Sequence, residues 1–165
     1  MSGKKKKRTQ SDAPTEVGRD LATNRQARFR YELLDKWEAG LVLQGSEVKS
    51  LRDGKVNLKD SYAMLRDGEL WLHGTYIAPY GPAAGEGHDP ERSRKLLLHR
   101  QEIDRLIGKT QVKGLTLVPT RIYFKGPNAK VEIALAKGKD QRDKREAIKE
   151  REQRREMDRA MKERR

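Results

Sequence analysis

The sequence predicts a mainly β fold: a small antiparallel barrel or sandwich with short helices beside it, set between two highly charged ends. Three observations lead there. Short apolar runs of period two recur through the middle of the chain, separated by turns containing Gly or Pro. The pair Asp67-Gly68 stands between two such runs, and Asp-Gly in that setting is the strongest short hairpin signal. Within that region only two stretches, near 46–52 and 100–107, have helical spacing.

Residues 1–23 read as a disordered basic arm. Residues 4–8 are a cationic block and 9–23 are polar, too little apolar area to offset chain entropy. The folded body is expected over 24–138. Over 28–37, Phe29, Tyr31 and Leu33 alternate with charged or polar neighbours, which reads as a strand. Ala39-Gly40 interrupts it, and 41–43 reads as a second short strand. Ser46 reads as a helix N-cap, with Glu47 in the first turn, Val48 and Leu51 on one face and Gly54 just past the end. Residues 61–65 and 70–73 form the hairpin, and 75–80 a further strand. Residues 81–90 are a Gly- and Pro-rich loop, and 95–99 a short apolar run. A helix over 100–107 should stop at Gly108. Residues 115–124 and 131–136 are the last strands, turned by Gly126-Pro127-Asn128. So many short strands make an oligonucleotide-binding (OB) type barrel the natural candidate.

The 165 residues carry a formal net charge of +13, and 38 % of them are charged. Residues 139–165 form a basic tail. Counted from Lys137, it holds 13 Lys or Arg against 8 Asp or Glu, with one Gly and no Pro. Opposite charges recur at helical spacing, as Glu150 with Arg154, Asp158 with Lys162 and Glu152 with Arg155. Each such pair supplies only about 0.2–0.5 kcal/mol. Ile148 is isolated, and Met157, Ala160 and Met161 make one small patch, so no apolar stripe exists to dock on the body. The tail is expected to be marginally helical or disordered alone and helical when bound.

The composition also excludes. Without cysteine there are no disulfides or thiolate metal sites. No apolar run follows the basic N-terminus, so it is not a secretory signal, and no stretch is long enough to span a membrane. A cytoplasmic, monomeric protein is expected. Gly108-Lys109-Thr110 resembles the end of a phosphate-binding loop, but Ile103 stands where that motif needs glycine. Ser46-Glu47-Val48-Lys49 fits S-x-x-K without the partner motifs of acyltransferases, and reads as a cap. His73, His88 and His99 lack metal-ligand spacing, with His88 in a flexible loop. Glu38, Glu47, Asp53 and Asp60 are scattered through different elements, and most read as solvated. The expectation is a binding protein with no enzymatic activity, cofactor or metal.

Excess positive charge calls for nucleic acid, an anionic membrane or an acidic protein. The body offers Arg25, Arg28, Arg30, Lys49, Arg52, Arg92, Arg94, Lys95 and Arg100. With the aromatics Phe29, Tyr31, Trp37, Trp71 and Tyr123, each read first as core, they suit RNA, whose phosphates can be neutralised and whose bases can be stacked. Three alternatives stand beside a specific RNA adaptor: a generic single-stranded RNA-binding OB protein, a structural ribosomal protein with basic extensions, and a nuclease holding a metal between carboxylates.

From about residue 24 to the end, a series of motifs resembles the tmRNA-binding protein family of bacterial trans-translation, also called small protein B or SsrA-binding protein. In order they are Asn24-Arg25-Gln26-Ala27, Glu38-Ala39-Gly40 and Gly45-Ser46-Glu47-Val48-Lys49-Ser50-Leu51-Arg52. Then come Asp60-Ser61-Tyr62, Arg66-Asp67-Gly68-Glu69, and Asp89-Pro90 with Arg94-Lys95-Leu96-Leu97-Leu98. Ala136-Lys137-Gly138-Lys139 and Asp143-Lys144-Arg145 complete the series. The resemblance implies an OB-like barrel that binds the tRNA-like domain of tmRNA. The basic tail would fill the empty mRNA channel at the decoding centre of a stalled ribosome, against ribosomal RNA. Asn24, Glu38 and Leu97 are the implied RNA-facing positions, near Lys49 and Arg52, with Arg25 and Arg28 as further RNA contacts. Lys137, Gly138, Lys139, Asp143, Lys144 and Arg145 are the implied ribosomal positions in the tail. Arg142 stands where the family often has His or Tyr, and a guanidinium also stacks on bases. Ala160-Met161 replaces an Ile-Met pair found in some members, leaving Met161 as the apolar contact.

Overall fold

Alternation along the chain is what closes this molecule: on each long strand one set of side chains is mostly apolar and the other carries most of the charge. The computed structural model describes residues 17–81, 87–139 and 141–164, with backbone alone for 141–143. The basic block at 4–8 lies outside the described residues. In chain order the elements are β1 (Val17–Thr23), α1 (Arg25–Arg30), β2 (Tyr31–Leu41), α2 (Gly45–Arg52), β3 (Val56–Asn57), β4 (Tyr62–Arg66), β5 (Glu69–His73) and β6 (Tyr76–Ile77). They continue with β7 (Arg94–Leu97), α3 (Arg100–Thr110), β8 (Leu115–Lys125), β9 (Asn128–Gly138) and α4 (Gln141–Glu163).

The strands run β8-β4-β5-β7-β2-β9, and β9 returns to β8, so six antiparallel strands close a ring. Closure removes the open sheet edges that would otherwise need covering. Leu70 and Leu72 of β5, Ile122 of β8, and Val131, Ile133 and Leu135 of β9 point inward to one core. Leu51 of α2 and Leu106 of α3 close on the same core. At the β4–β5 turn Asp67 and Gly68 take φ of 52° and 75°, as the Asp-Gly pair predicts.

Several elements depart from the sequence expectation. Residues 17–23 are a strand, not part of a disordered arm: β1 pairs with β8 from Arg121 to Lys125, the part of that edge that β4 leaves unpaired. Backbone pairing and the Asp20–Arg121 ion pair (3.1 Å) fix it, so it needs little apolar content. Residues 25–30 form a helix, so the strand expected from 28 begins only at Tyr31. Their period of two is coincidental, because Ala27 packs on Val118, Ala134 and Ala136. Ala39-Gly40 does not interrupt β2. Gly40 pairs with Leu97, and a Cβ there would sit 3.3 Å from the Leu97 Cβ, so glycine serves a close approach.

At α2 the N-cap is Gln44, in a capping box with Glu47, and not Ser46. Glu47 is fully buried rather than solvated, held by Arg94, itself buried, and by Arg92 at 2.5 Å. His88 is buried too: its Nδ1 meets the Ser46 hydroxyl and its Nε2 donates to the Ile77 carbonyl, both at 2.9 Å. α3 runs through Gly108 to Thr110, so Gly108-Lys109-Thr110 is its last turn. Lys109 bonds Asp35 and lies over the Trp37 ring, tying that turn to β2. β6 has only two residues, and β9 begins at Asn128, earlier than expected.

Glu47→Ala should therefore destabilise the fold by about 3–5 kcal/mol, because Arg94 is left buried without its counter-charge. Asp60→Asn, which breaks the exposed Arg30–Asp60 pair, should cost less than about 1 kcal/mol. Urea denaturation of both variants measures the contrast.

Candidate nucleic-acid interface

One outer wall of the barrel gathers most of the polar chemistry. Glu38 on β2 is directly opposite Glu132 on β9, which is opposite Arg121 on β8. Residues directly opposite in an antiparallel ladder share a face. The same face continues through Lys130 and Tyr123, which are also partners, and through Gly40 to Leu97 on β7. Leu97 is 53 % exposed there. Toward the other end, α1 lies on this face through Ala27, which packs on Ala134 and Ala136.

Two carboxylates facing each other across β2 and β9 would repel, and each is neutralised locally. The Tyr123 hydroxyl donates to Glu38, and Lys125 Nζ donates to it at 3.1 Å. The tyrosine bond is the main cause holding the Glu38 carboxyl below the usual carboxylate value, burial opposes it, and Lys125 and Lys130 add to the lowering. Burial and the Glu38 carboxylate together push the Tyr123 phenol well up, so it stays a donor. Burial works against the charge of Glu132, but Thr120 (2.7 Å), Lys36 (3.3 Å) and Arg121 (3.2 Å) outweigh it and hold that carboxyl low. Arg121 also covers the Tyr123 ring at 4.6 Å.

Asn24 is already committed: its Oδ1 accepts from the Ala27 N–H at 3.2 Å, and its Nδ2 donates to the Pro119 carbonyl at 3.0 Å. It thus caps α1 and pins it to β8, setting Arg25 and Arg28 on a cleft of about 890 Å³. Glu38 and Leu97 line a second cleft of about 410 Å³ with His99, Glu102 and Lys130. The wall therefore joins Asn24, Arg25 and Arg28 at one end with Glu38 and Leu97 at the other. Lys49 and Arg52 line neither cleft. Lys49 lies over the Tyr80 ring and Arg52 over the Phe124 ring, both at 5.3 Å.

The ribosomal positions divide in two. Lys137 and Gly138 are still strand, paired with Glu32 and Tyr31. Lys139 fastens the chain to α1: its N–H donates to the Arg30 carbonyl and its Nζ to the Arg28 carbonyl, at 3.0 and 2.9 Å. Lys144, Arg145 and Met161 lie on α4, a single helix of 23 residues. Met161 is 71 % exposed. Arg142 and Asp143 belong to α4, and their side chains lie outside the described residues. Glu150 with Arg154, Glu152 with Arg155 and Asp158 with Lys162, the pairs read from helical spacing, do not close to ion-pair distance, as expected where exposed side chains gain little by pairing. Sequence reasoning did not single out Lys36, Arg121, Lys125, Lys130 and Glu132. Their signal is the period of two in Arg121, Tyr123, Lys125 and in Lys130, Glu132.

Among the described residues, no helix is long and apolar enough to cross a membrane, and no three His, Asp or Glu are grouped to hold a metal ion.

Comparison with known proteins places these features in a family. The family model described as SmpB protein matches residues 21–163. An SsrA-binding protein of Sulfurihydrogenibium sp. is 61 % identical over 142 residues, covering 86 % of this chain and 93 % of its own. One from Nostoc sp. is 58 % identical over 144 residues, covering 86 % and 92 %. A solved structure described as "tmRNA-SmpB: a journey to the center of the bacterial ribosome" superposes with a TM-score of 0.63 at 50 % identity. It covers 82 % of this chain and 95 % of the other.

Tyr123→Phe should raise the Glu38 pKa, since it removes the strongest bond to the carboxylate. The lost bond to a charged acceptor should cost about 1.5–3 kcal/mol of stability at neutral pH. Because folding lowers the Glu38 pKa below 4.5, this stability is present above about pH 4.5 and fades as pH falls through the folded value. An NMR titration of the Glu38 carboxyl, with unfolding at pH 7 and pH 3, measures both effects.

Proposed function

This chain belongs to the SmpB family, and on that premise we propose that it binds tmRNA through the tRNA-like domain and takes part in trans-translation on stalled ribosomes. It does so as a cytoplasmic RNA-binding adaptor without chemistry of its own. The observation that carries the reading is the continuous wall from Arg25 and Arg28, through Arg121 and Glu38, to Leu97. Arg25 and Arg28 supply exposed guanidiniums for phosphates. Asn24 acts by fixing their helix. Glu38 is an acceptor for ribose or base N–H and O–H donors, and Leu97 gives an apolar surface for a base or sugar. Lys49 and Arg52 extend phosphate contact from α2.

The tail has a second role. At 23 residues α4 is about 35 Å long, enough to follow a groove in ribosomal RNA. Lys137, Gly138 and Lys139 direct it from the barrel, and Arg142, Asp143, Lys144 and Arg145 meet the decoding centre at its start. Met161 makes an apolar contact farther along the mRNA channel.

Glu38→Ala should lose about 1–3 kcal/mol of affinity for the tRNA-like domain, as for a hydrogen bond to a charged group, and less for unstructured RNA of equal length. Equal losses on the two RNAs would favour a generic single-stranded RNA binder. Lys144→Glu with Arg145→Glu should leave binding to the isolated tRNA-like domain within about twofold while abolishing peptide tagging on stalled ribosomes, by about tenfold or more. Parallel loss of binding and tagging would count against a separate ribosomal role for the tail.

A further inference from the structure

We propose that the cleft between α1 and α4 is a phosphate clamp for RNA backbone, with the barrel as one jaw and the tail helix as the other. The proposal rests on the RNA-binding reading above and adds a ligand site shared by body and tail. Six cations line the cleft: Arg25, Arg28, Lys36, Arg121, Arg151 and Arg155. Two carboxylates, Asp20 and Glu132, line it as well, and both are already engaged. Asp20 pairs with Arg121 at 3.1 Å, and Glu132 with Arg121 at 3.2 Å and Lys36 at 3.3 Å. That leaves four guanidiniums, two from each jaw, with no carboxylate at ion-pair distance among the described residues.

Apolar burial does not bring the jaws together. Every described side chain from Glu150 to Arg164 on the tail is exposed, and Ile148 is 40 % exposed. What holds α4 near α1 is polar and local: Lys139 bonded to the Arg28 and Arg30 carbonyls, and Arg151 over the Phe29 ring at 5.7 Å. Gathering four like charges opposes this docking, and an anion entering the cleft reverses the sign. A phosphodiester fits best, because its oxygens accept paired N–H donors from a guanidinium fork and successive phosphates supply charge along the cleft. In this state the tail grips RNA already bound to the body. It must release that grip, with the Lys139 bonds to α1, to reach any other groove.

The test uses the full chain and the tRNA-like domain of tmRNA as probe. Arg151→Gln with Arg155→Gln should flatten the log–log dependence of affinity on salt by about 1.4–1.8, the share of two phosphate contacts. Lys149→Gln with Arg164→Gln removes the same charge outside the cleft, one from the opposite side of the helix and one just past its end, and should leave the slope unchanged. Since the chain has no cysteine, dyes can be placed on Glu32→Cys and Gln153→Cys. RNA should raise energy transfer between them in the otherwise unaltered chain and not in the Arg151/Arg155 variant. Equal slopes for the two double variants, or a fall in transfer on adding RNA, would overturn the clamp while leaving RNA binding by the body intact. Closure by poly-glutamate as effective as by RNA would overturn the phosphate assignment. No RNA binding by the unsubstituted chain would defeat the underlying reading and the clamp with it.

Discussion

Ten pairings between β8 and β9, interrupted by one register shift between Pro119 and Arg121 and joined through Gly126-Pro127, hold the molecule together. Each strand has eleven residues, long enough to serve several neighbours at once. The outer edge of β9 takes β2 along most of its length. The outer edge of β8 is divided, with β4 meeting it at Leu117 and β1 from Arg121 onward. Because side chains alternate, the same hairpin that supplies Ile122, Val131 and Ile133 to the core supplies Arg121, Tyr123, Lys130 and Glu132 to the outer wall. Fold and interface are thus two faces of one register. A slip by one residue would exchange them.

Charge is handled differently in each part of the chain. Inside, Glu47 with Arg92 and Arg94 is a closed set: burial is tolerated because the carboxylate meets two guanidiniums and the N–H of Gln44. On the wall, Glu38 and Glu132 are each neutralised by neighbours yet stay within reach of solvent. Along α1 and α4 the arginines outnumber their partners. This gradient runs from satisfied to unsatisfied, and it locates where an external anion gains most. Guanidiniums already paired would have to give up a carboxylate to bind phosphate, whereas Arg25, Arg28, Arg151 and Arg155 would not.

The tail is a helix without a docking face. Strong helix formers and the absence of Pro from 139 onward are enough for one unbroken helix, although Glu150 with Arg154, Glu152 with Arg155 and Asp158 with Lys162 do not close to ion-pair distance. What the helix lacks is an apolar face, so among the described residues its position depends on the Lys139 bonds to α1 and on polar contacts such as Arg151 over the Phe29 ring. An element held so lightly can exchange one polyanionic surface for another at small cost, which suits the proposed service to an RNA and a ribosome in turn.

The sequence by itself determined the β class, the Asp67-Gly68 hairpin, the two short core helices and the separation of a charged tail. These depend on local periodicity and turn chemistry, and neighbours in the chain suffice to set them. The motifs from Asn24 to Arg145 also carried the family, since they are a pattern of residue types in order. Only the tertiary structure decided the rest. Residues 28–30 read as strand until Ala27 meets Ala134 across more than a hundred residues of chain and fixes a helix there. Glu47 read as solvated until Arg92 and Arg94 arrive from beyond the 81–90 loop. Arg121, Lys125 and Glu132 read as ordinary surface charges until register sets them beside Glu38. In each case a long-range contact, which no local pattern encodes, outweighs a local preference worth less than about 1 kcal/mol per residue.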